Sequence, residues 1–342
     1  MRLFAFALIF LVMYAGTGSS CEVARGPFLK SLDAWGKSCG HPLCGRIYAA
    51  DPARVRKQAA PCDEETWLTL KEEIQEAVHK GGAVLLGEVH DNPEHHEIRA
   101  RMGMANYASV VFEQLRDDQK DGIETFAARH VDGFRDGESG VEDFKQTIKW
   151  DQSGWAKYDY APLLKAAILS RRPIYPGDPT RELISKAAKE GPTGVPSEDL
   201  VRFKLDVPLG AALDKAANTE IQEAHCGGLL EAALSTMAFA QRYRDAHLAN
   251  AVITAIDKHG SAVLISGNTH VRTDRGVPWY IHQRTPERKV VSLMFVEVET
   301  GKDDPAAYVP RDPEGKPATD YIIFTPRAEH RDACAQPSEK LQ

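Results

Sequence analysis

Beyond an N-terminal apolar stretch, no segment reaches the ~18 consecutive apolar residues that a membrane-spanning helix needs, so no later part of the chain is expected to cross a bilayer as a helix. Basic residues are not in excess: 42 Lys and Arg stand against 49 Asp and Glu in 342 residues, a formal net charge of −7. A surface of that sign repels phosphate backbones, and no nucleic-acid partner is expected. The chain has no Gly-x-Ser-x-Gly and no His-Glu-x-x-His stretch, which removes the nucleophile elbow and the zinc-protease helix from consideration. Internal repeats and long low-complexity tracts are absent as well. With 43% hydrophobic and 27% charged residues, the remainder is ordinary globular material, enough for one large α/β domain or one domain with a sizeable insertion.

Arg2, an apolar core over residues 3–14 and the small residues 15–20 have the order of a secretory signal, so residues 1–20 are expected to be cleaved and the mature chain exported to the periplasm or cell envelope. Cys21 follows directly. A lipid on Cys21, anchoring the chain to a membrane, is the alternative to simple cleavage, although Gly18 stands where lipoproteins usually have Leu. Cysteines are few: Cys21, Cys39, Cys44, Cys62, Cys226 and Cys334. In an oxidising compartment at least one disulfide is expected, its pairing left open. A zinc half-site at Cys39 and Cys44 has no matching second pair.

Residues 21–80 are expected to be an arm, turn-rich or a short hairpin over 22–62, followed by a helix over 64–79. The main α/β domain is expected over 81–326. Apolar runs at 83–86, 108–112, 172–175, 261–266, 290–298 and 321–324 read as strands, and the helical spacing between them reads as βαβ units of a mostly parallel central sheet flanked by helices. Residues 180–258 are almost wholly helical and too long for one crossover, so a helical subdomain is expected before the strand at 261–266. The polar tail over 327–342 is expected to be loose.

The chemistry gathers at GGAVLLGEVHDNPEHH, residues 81–96. A buried strand stops at Gly87, and Glu88 and His90, two apart in an extended loop, point the same way. Pro93 and Glu94 suit the first turn of a helix that follows. Gly267-Asn268-Thr269-His270 repeats the plan: an apolar strand, a Gly, and a His three residues on. Glu113 and Asp178 also fall at expected strand ends. Ligands of open α/β sheets bind at the carboxyl ends of the strands. Glu88, His90, Glu113 and His270 are therefore expected to line one pocket there, as ligands of a divalent metal or as proton-transfer groups, with shifted titration. Helix capping alone is the bland alternative.

GEVHDNPEHH and GNTHVRTDRGVP together resemble the ChaN-like haem-binding uptake family of the Tiki, TraB and erythromycin-esterase superfamily. HPLCGRIY at 41–48, YDYAPLLKAA at 158–167, and the HCGG and MAFAQRYRDAHLANA stretches within 225–251 are similar to its ChaN-like branch. The resemblance implies an exported envelope protein that binds haem and serves iron uptake. Residue by residue it points to Glu88, His90, Asn92, His96, Glu113, His270 and Arg272, with His225 and Cys226 as a matching pair; His90, Asn92, His96, Arg272 and His225 are the candidate haem contacts. Arg272 and Arg275 beside Trp279 and Tyr280 are candidates for propionate-binding cations and aromatic surface. The axial ligand stays open between Tyr and His. A homodimer sandwiching haem and an envelope haem or iron receptor are the implied partners. The competing class is a hydrolase, an esterase or peptidase, using Glu88, His90, Glu113 and His270.

Overall fold

The computed structural model describes residues 26–55, 65–133, 137–330 and 334. The expected leader, Cys21 and Cys62 lie outside the described residues. Among those described, no helix is long and apolar enough to cross a membrane.

The chain opens with helix α1 (Pro27–Ser38), whose Phe28, Leu32 and Trp35 are buried on one face. A disulfide between Cys39 and Cys44 closes the next loop, and β1 (Ile47–Ala49) follows. The expected turn-rich arm is thus corrected: the i, i+4, i+7 spacing of its apolar residues carries a helix, with Pro27 starting it. Then come α2 (Glu65–His79), β2 (Ala83–Leu86), α3 (Pro93–Arg101), β3 (Val110–Arg116), α4 (Lys120–Arg129), α5 (Gly137–Thr147), α6 (Ala161–Ser170) and β4 (Ile174–Asp178). The helical block comprises α7 (Arg181–Glu190), α8 (Ser197–Arg202), α9 (Ala211–Ala224) and α10 (Glu231–His259). Last are β5 (Ala262–Ile265), α11 (Val277–Arg284), β6 (Val290–Glu297) and β7 (Tyr321–Thr325).

The seven strands form one sheet in the order β1-β7-β6-β2-β5-β3-β4, with β1 antiparallel to β7 and every other pair parallel. Helices cover both faces, and the central strands are apolar at every position: all four residues of β2 and of β5 are at most 1% exposed. The C-terminal part of α10 packs on the sheet, its buried residues running from Phe239 to Ile256. By contrast, α9 has no buried residue and packs against α10.

The described part of the tail is tethered. Ala328 N–H donates to Glu297, His330 bridges Asp91 and Glu297, and Cys334 is disulfide-bonded to Cys226 at the turn after α9. The tail was expected to be loose because its residues are polar; its anchors are ionic and covalent instead of apolar.

Candidate functional site

Register sets the site. Leu86 at the end of β2 and Phe112 in β3 both lie level with Ile265, the last residue of β5 between them. Beyond that level the two loops that follow β2 and β5 close on each other, which needs small residues. A Cβ on Gly87 would strike the Asn268 side chain, and one on Gly267 would lie 2.7 Å from His90 Nε2. Glu88, His90, Glu113 and His270 consequently meet at the carboxyl edge. One detail of the expectation is corrected: Glu113 is not the end of its strand, because β3 runs on to Arg116. Its partner β5 has already stopped, so the Glu113 carboxylate fills the gap and accepts the Gly267 N–H at 2.7 Å.

Glu88 is fully buried, and each oxygen is occupied. Oε1 accepts from Tyr160 Oη at 2.5 Å, Gln114 Nε2 at 3.2 Å and His90 Nδ1 at 2.7 Å. Oε2 is ion-paired with Arg99 and lies 3.2 Å from His96 Nε2. Arg99 has no exposed surface and also donates to the carbonyls of His95, Leu86 and Ser266. His96 is stacked on Tyr160 at 4.2 Å and reaches the Asp159 carbonyl at 2.6 Å, so of the candidate contacts it belongs to the scaffold of Glu88. His95 fixes the loop: its Nδ1 accepts the Val89 N–H at 2.9 Å and its Nε2 meets Thr325 Oγ1 at 2.7 Å. Burial pulls its imidazole down to about 3, so it is neutral in that role.

A second ionic group lies on the other side of the gap. Arg244 binds Asp178 through both carboxylate oxygens, at 2.8 and 3.0 Å, and Glu113 at 2.8 Å. His270 sits between Asp245 at 2.6 Å and Glu113 at 3.1 Å. Burial by itself would lower the His270 imidazole; Glu113 and then Asp245 overcome it and raise it to about 10, so His270 is an imidazolium with no free lone pair. Burial would likewise raise Glu113, but the His270 and Arg244 charges hold it well below the ordinary carboxylate range.

His90 differs from both groups. Burial lowers its imidazole, Glu113 opposes this, and the His270 and Arg244 charges add to the lowering. Arg99 neutralises the Glu88 charge next to it. The ring is then a neutral imidazole that donates Nδ1–H to Glu88, with Nε2 4.0 Å from Glu113 Oε1 and no hydrogen-bond partner among the described residues. Its side chain is 32% exposed, and Trp155 lies beside it at 4.7 Å. Trp155 and Tyr158 are half-buried, and Lys157 stands exposed over the Tyr158 ring.

Among the described residues no three His, Cys, Asp or Glu side chains are placed to hold a metal ion. The structure thus offers no site for the divalent metal expected at Glu88, His90, Glu113 and His270. The physical reason is that arginines and an imidazolium already occupy the carboxylates. Other expected contacts take up structural positions. Asn92 caps α3, accepting the Glu94 N–H at 2.9 Å and donating to Glu297 at 2.6 Å. Arg272 is paired with Asp274, which also holds Arg275, and Tyr280 has no exposed surface, so this group presents no free cation and, of its two aromatics, only the part-exposed Trp279. His225 is exposed at the end of α9 with its ring on the Ile221 carbonyl. No role was expected from the sequence for Arg99, Trp155, Tyr160, Arg244 or Asp245; the last two lie in a stretch, QRYRDAH, whose many polar residues look solvent-exposed on paper.

The His330 bridge predicts a pH dependence. Its bond to Asp91 raises the imidazole above its ordinary value of 6.5, slight burial opposes, and Glu297 adds to the rise. A raised folded value means that the bridge stabilises fully below the unfolded value, and that this contribution is lost as pH rises through the folded one. His330→Gln is expected to lower the urea midpoint at pH ~5.5 and to leave it unchanged at pH ~9. Equal losses at both pH values would show that protonation is irrelevant to the tether.

An α/β protein with a mostly parallel sheet, a buried double ionic network at its carboxyl edge and one part-exposed neutral imidazole is the class that this fold and site define. The chain belongs to the haem-binding uptake, Tiki superfamily, ChaN family, whose model matches residues 74–281. Of solved structures, ChaN of Campylobacter jejuni, described with cofacial haem binding, is similar to the chain with a TM-score of 0.51 and 17% identity over 74% of this chain and 90% of that one. A protein from Bacillus cereus has a TM-score of 0.36 and 10% identity, covering 87% of this chain and 97% of its own. No curated protein matches the chain.

Proposed function

We propose that the protein is an exported haem-binding protein of the cell envelope that serves haem or iron uptake, with His90 Nε2 as the axial ligand. The observation that carries this reading is His90: a neutral, part-exposed imidazole beside Trp155, oriented by a buried carboxylate through one nitrogen and without a hydrogen-bond partner at the other among the described residues. Iron-binding histidines are commonly held this way, because the second-shell carboxylate fixes the tautomer and raises ligand basicity. Trp155 and Tyr158 offer apolar surface for the macrocycle, and Lys157 offers a cation for a propionate. Haem brings its own iron chemistry; the chain orients the ligand, and Arg99 pairs with the supporting carboxylate. Haem held on this one side would leave its other face for a second copy of the chain, and an envelope receptor would be the partner that takes it up.

Titration of the mature protein with haemin is expected to give a saturable Soret shift, and His90→Ala is expected to change the spectrum and weaken binding about tenfold or more. Light scattering on the same samples reports a dimer, and the intact mass of protein from its native host reports cleavage at residues 17–21 or a lipid on Cys21. A flat titration, together with ester or peptide hydrolysis that His90→Ala abolishes, would replace this reading by the hydrolase one, with Glu88 and His90 as the general-base pair.

A further inference from the structure

Along the free edge of β4, between α4 on one side and α8 and α10 on the other, lies a cavity of about 680 Å³. None of the residues at the haem-candidate edge lines it. Its size is that of a small-molecule site. The floor is apolar: Ile123, Phe126, Phe144, Phe203 and Tyr243 line it and are at most 6% exposed. Of the four exposed large hydrophobic side chains described, Val131 lines the mouth.

The rim is cationic. Arg171, Arg202 and Lys258 line it, are exposed, and have no carboxylate partner among the described residues. The acids of the lining are already engaged: Asp117 with His247 at 3.0 Å, Asp199 accepting from Tyr243 at 3.0 Å, and Glu124 facing Lys120 at 4.0 Å. Nothing in the cavity is open to ligate iron. His247 is bound at both nitrogens, by Gly177 O and Asp117, and His130 Nε2 meets Asp143 at 2.6 Å. The hydroxyls of Tyr175 and Tyr243 are held by His259 and Asp199. The occupant therefore has an apolar body, an anionic head and no need of an axial ligand.

We propose that this cavity is a second binding site, taking a single-chain amphipathic anion of the long-chain aliphatic carboxylate class. The chain lies on the Phe126 and Phe203 floor, and the carboxylate is held at the rim by Arg202, Lys258 and Arg171. The proposal is independent of haem binding at His90, and the test separates them.

The full mature chain is titrated calorimetrically with sodium hexadecanoate below its micelle concentration, with hexadecan-1-ol as the uncharged control. Saturable one-to-one binding is expected, about tenfold weaker for the alcohol. Ala127 is exposed on α4 at the cavity, so Ala127→Trp fills the opening without entering the core; it is expected to abolish hexadecanoate binding and to leave the haemin titration unchanged. Arg202→Glu with Lys258→Glu, both at exposed positions, is expected to weaken hexadecanoate binding about tenfold or more and alcohol binding far less. The proposal is overturned by the absence of saturable hexadecanoate binding, by binding that persists in a folded Ala127→Trp protein, or by one-for-one displacement of hexadecanoate by haemin.

Discussion

Arg99→Met is expected to cost about 3–5 kcal/mol of folding free energy, the range for breaking a buried ion pair from one side. The guanidinium is wholly buried and serves four groups: the Glu88 carboxylate and the carbonyls of Leu86, His95 and Ser266. Two of those carbonyls terminate neighbouring strands, so Arg99 ties the ends of β2 and β5 together below the site. Methionine fills much of the volume but leaves these acceptors without donors and Glu88 as a buried charge without its cation. Tyr160, Gln114, His90 and His96 remain around Glu88 and hold the loss short of the full cost of an isolated charge. Adding Glu88→Gln to Arg99→Met is expected to recover part of the stability, since the uncompensated charge then disappears. Urea unfolding of the single and double variants measures both effects. A loss below about 1 kcal/mol for Arg99→Met would show that water or relaxation satisfies Glu88, contrary to its burial.

The same residue shows where sequence reading stops. The strand over 83–86 was legible because burial on both faces demands a continuous apolar run, and Gly82 and Gly87 bracket it. The meeting of Glu88, His90, Glu113 and His270 was legible because strands that end level put equivalent offsets at one edge, and the Gly-to-His spacing occurs twice. Arg99, by contrast, lies in a helix whose sequence, PEHHEIRAR, looks solvent-exposed; only the fold reveals that His95, His96, Ile98 and Arg99 are buried. The extension of β3 through Glu113 and Gln114 was missed for a related reason: polar residues end an apolar run on paper, whereas here they are buried and paired. In α1 the apolar spacing was present, but the surrounding Gly, Pro and Cys residues read as turns. The group at 272–280 was misread because the sequence shows cations beside aromatics and does not show Asp274 neutralising both arginines. Short α8 lay inside a block read only as helical.

Gly267→Ala isolates His90 from the fold, and it is expected to leave a stable protein that binds haem at least tenfold more weakly. The new methyl would sit 2.7 Å from His90 Nε2 and 2.9 Å from Cε1, closer than a Cβ tolerates, and its next contact is Glu113 Oε2 at 3.7 Å. No backbone atom is in its way and Gly267 is not in the left-handed region, so the main chain need not shift. The imidazole gives way instead, because it is 32% exposed. Rotating it breaks the 2.7 Å bond from Nδ1 to Glu88 and puts a methyl against the nitrogen assigned to the iron. The stability change is expected to stay within about 1 kcal/mol, as for substitutions that clear the core. Gly87→Ala is the contrasting control: its Cβ would strike the buried loop at Asn268 and come 2.9 Å from Val271 Cγ2, so it should lower stability as well. Haemin titration with urea unfolding of both variants reads the two effects separately. Wild-type affinity and an unchanged Soret band in Gly267→Ala would mean that the iron is not on His90, and the axial ligand would have to be sought among the tyrosines near Trp155.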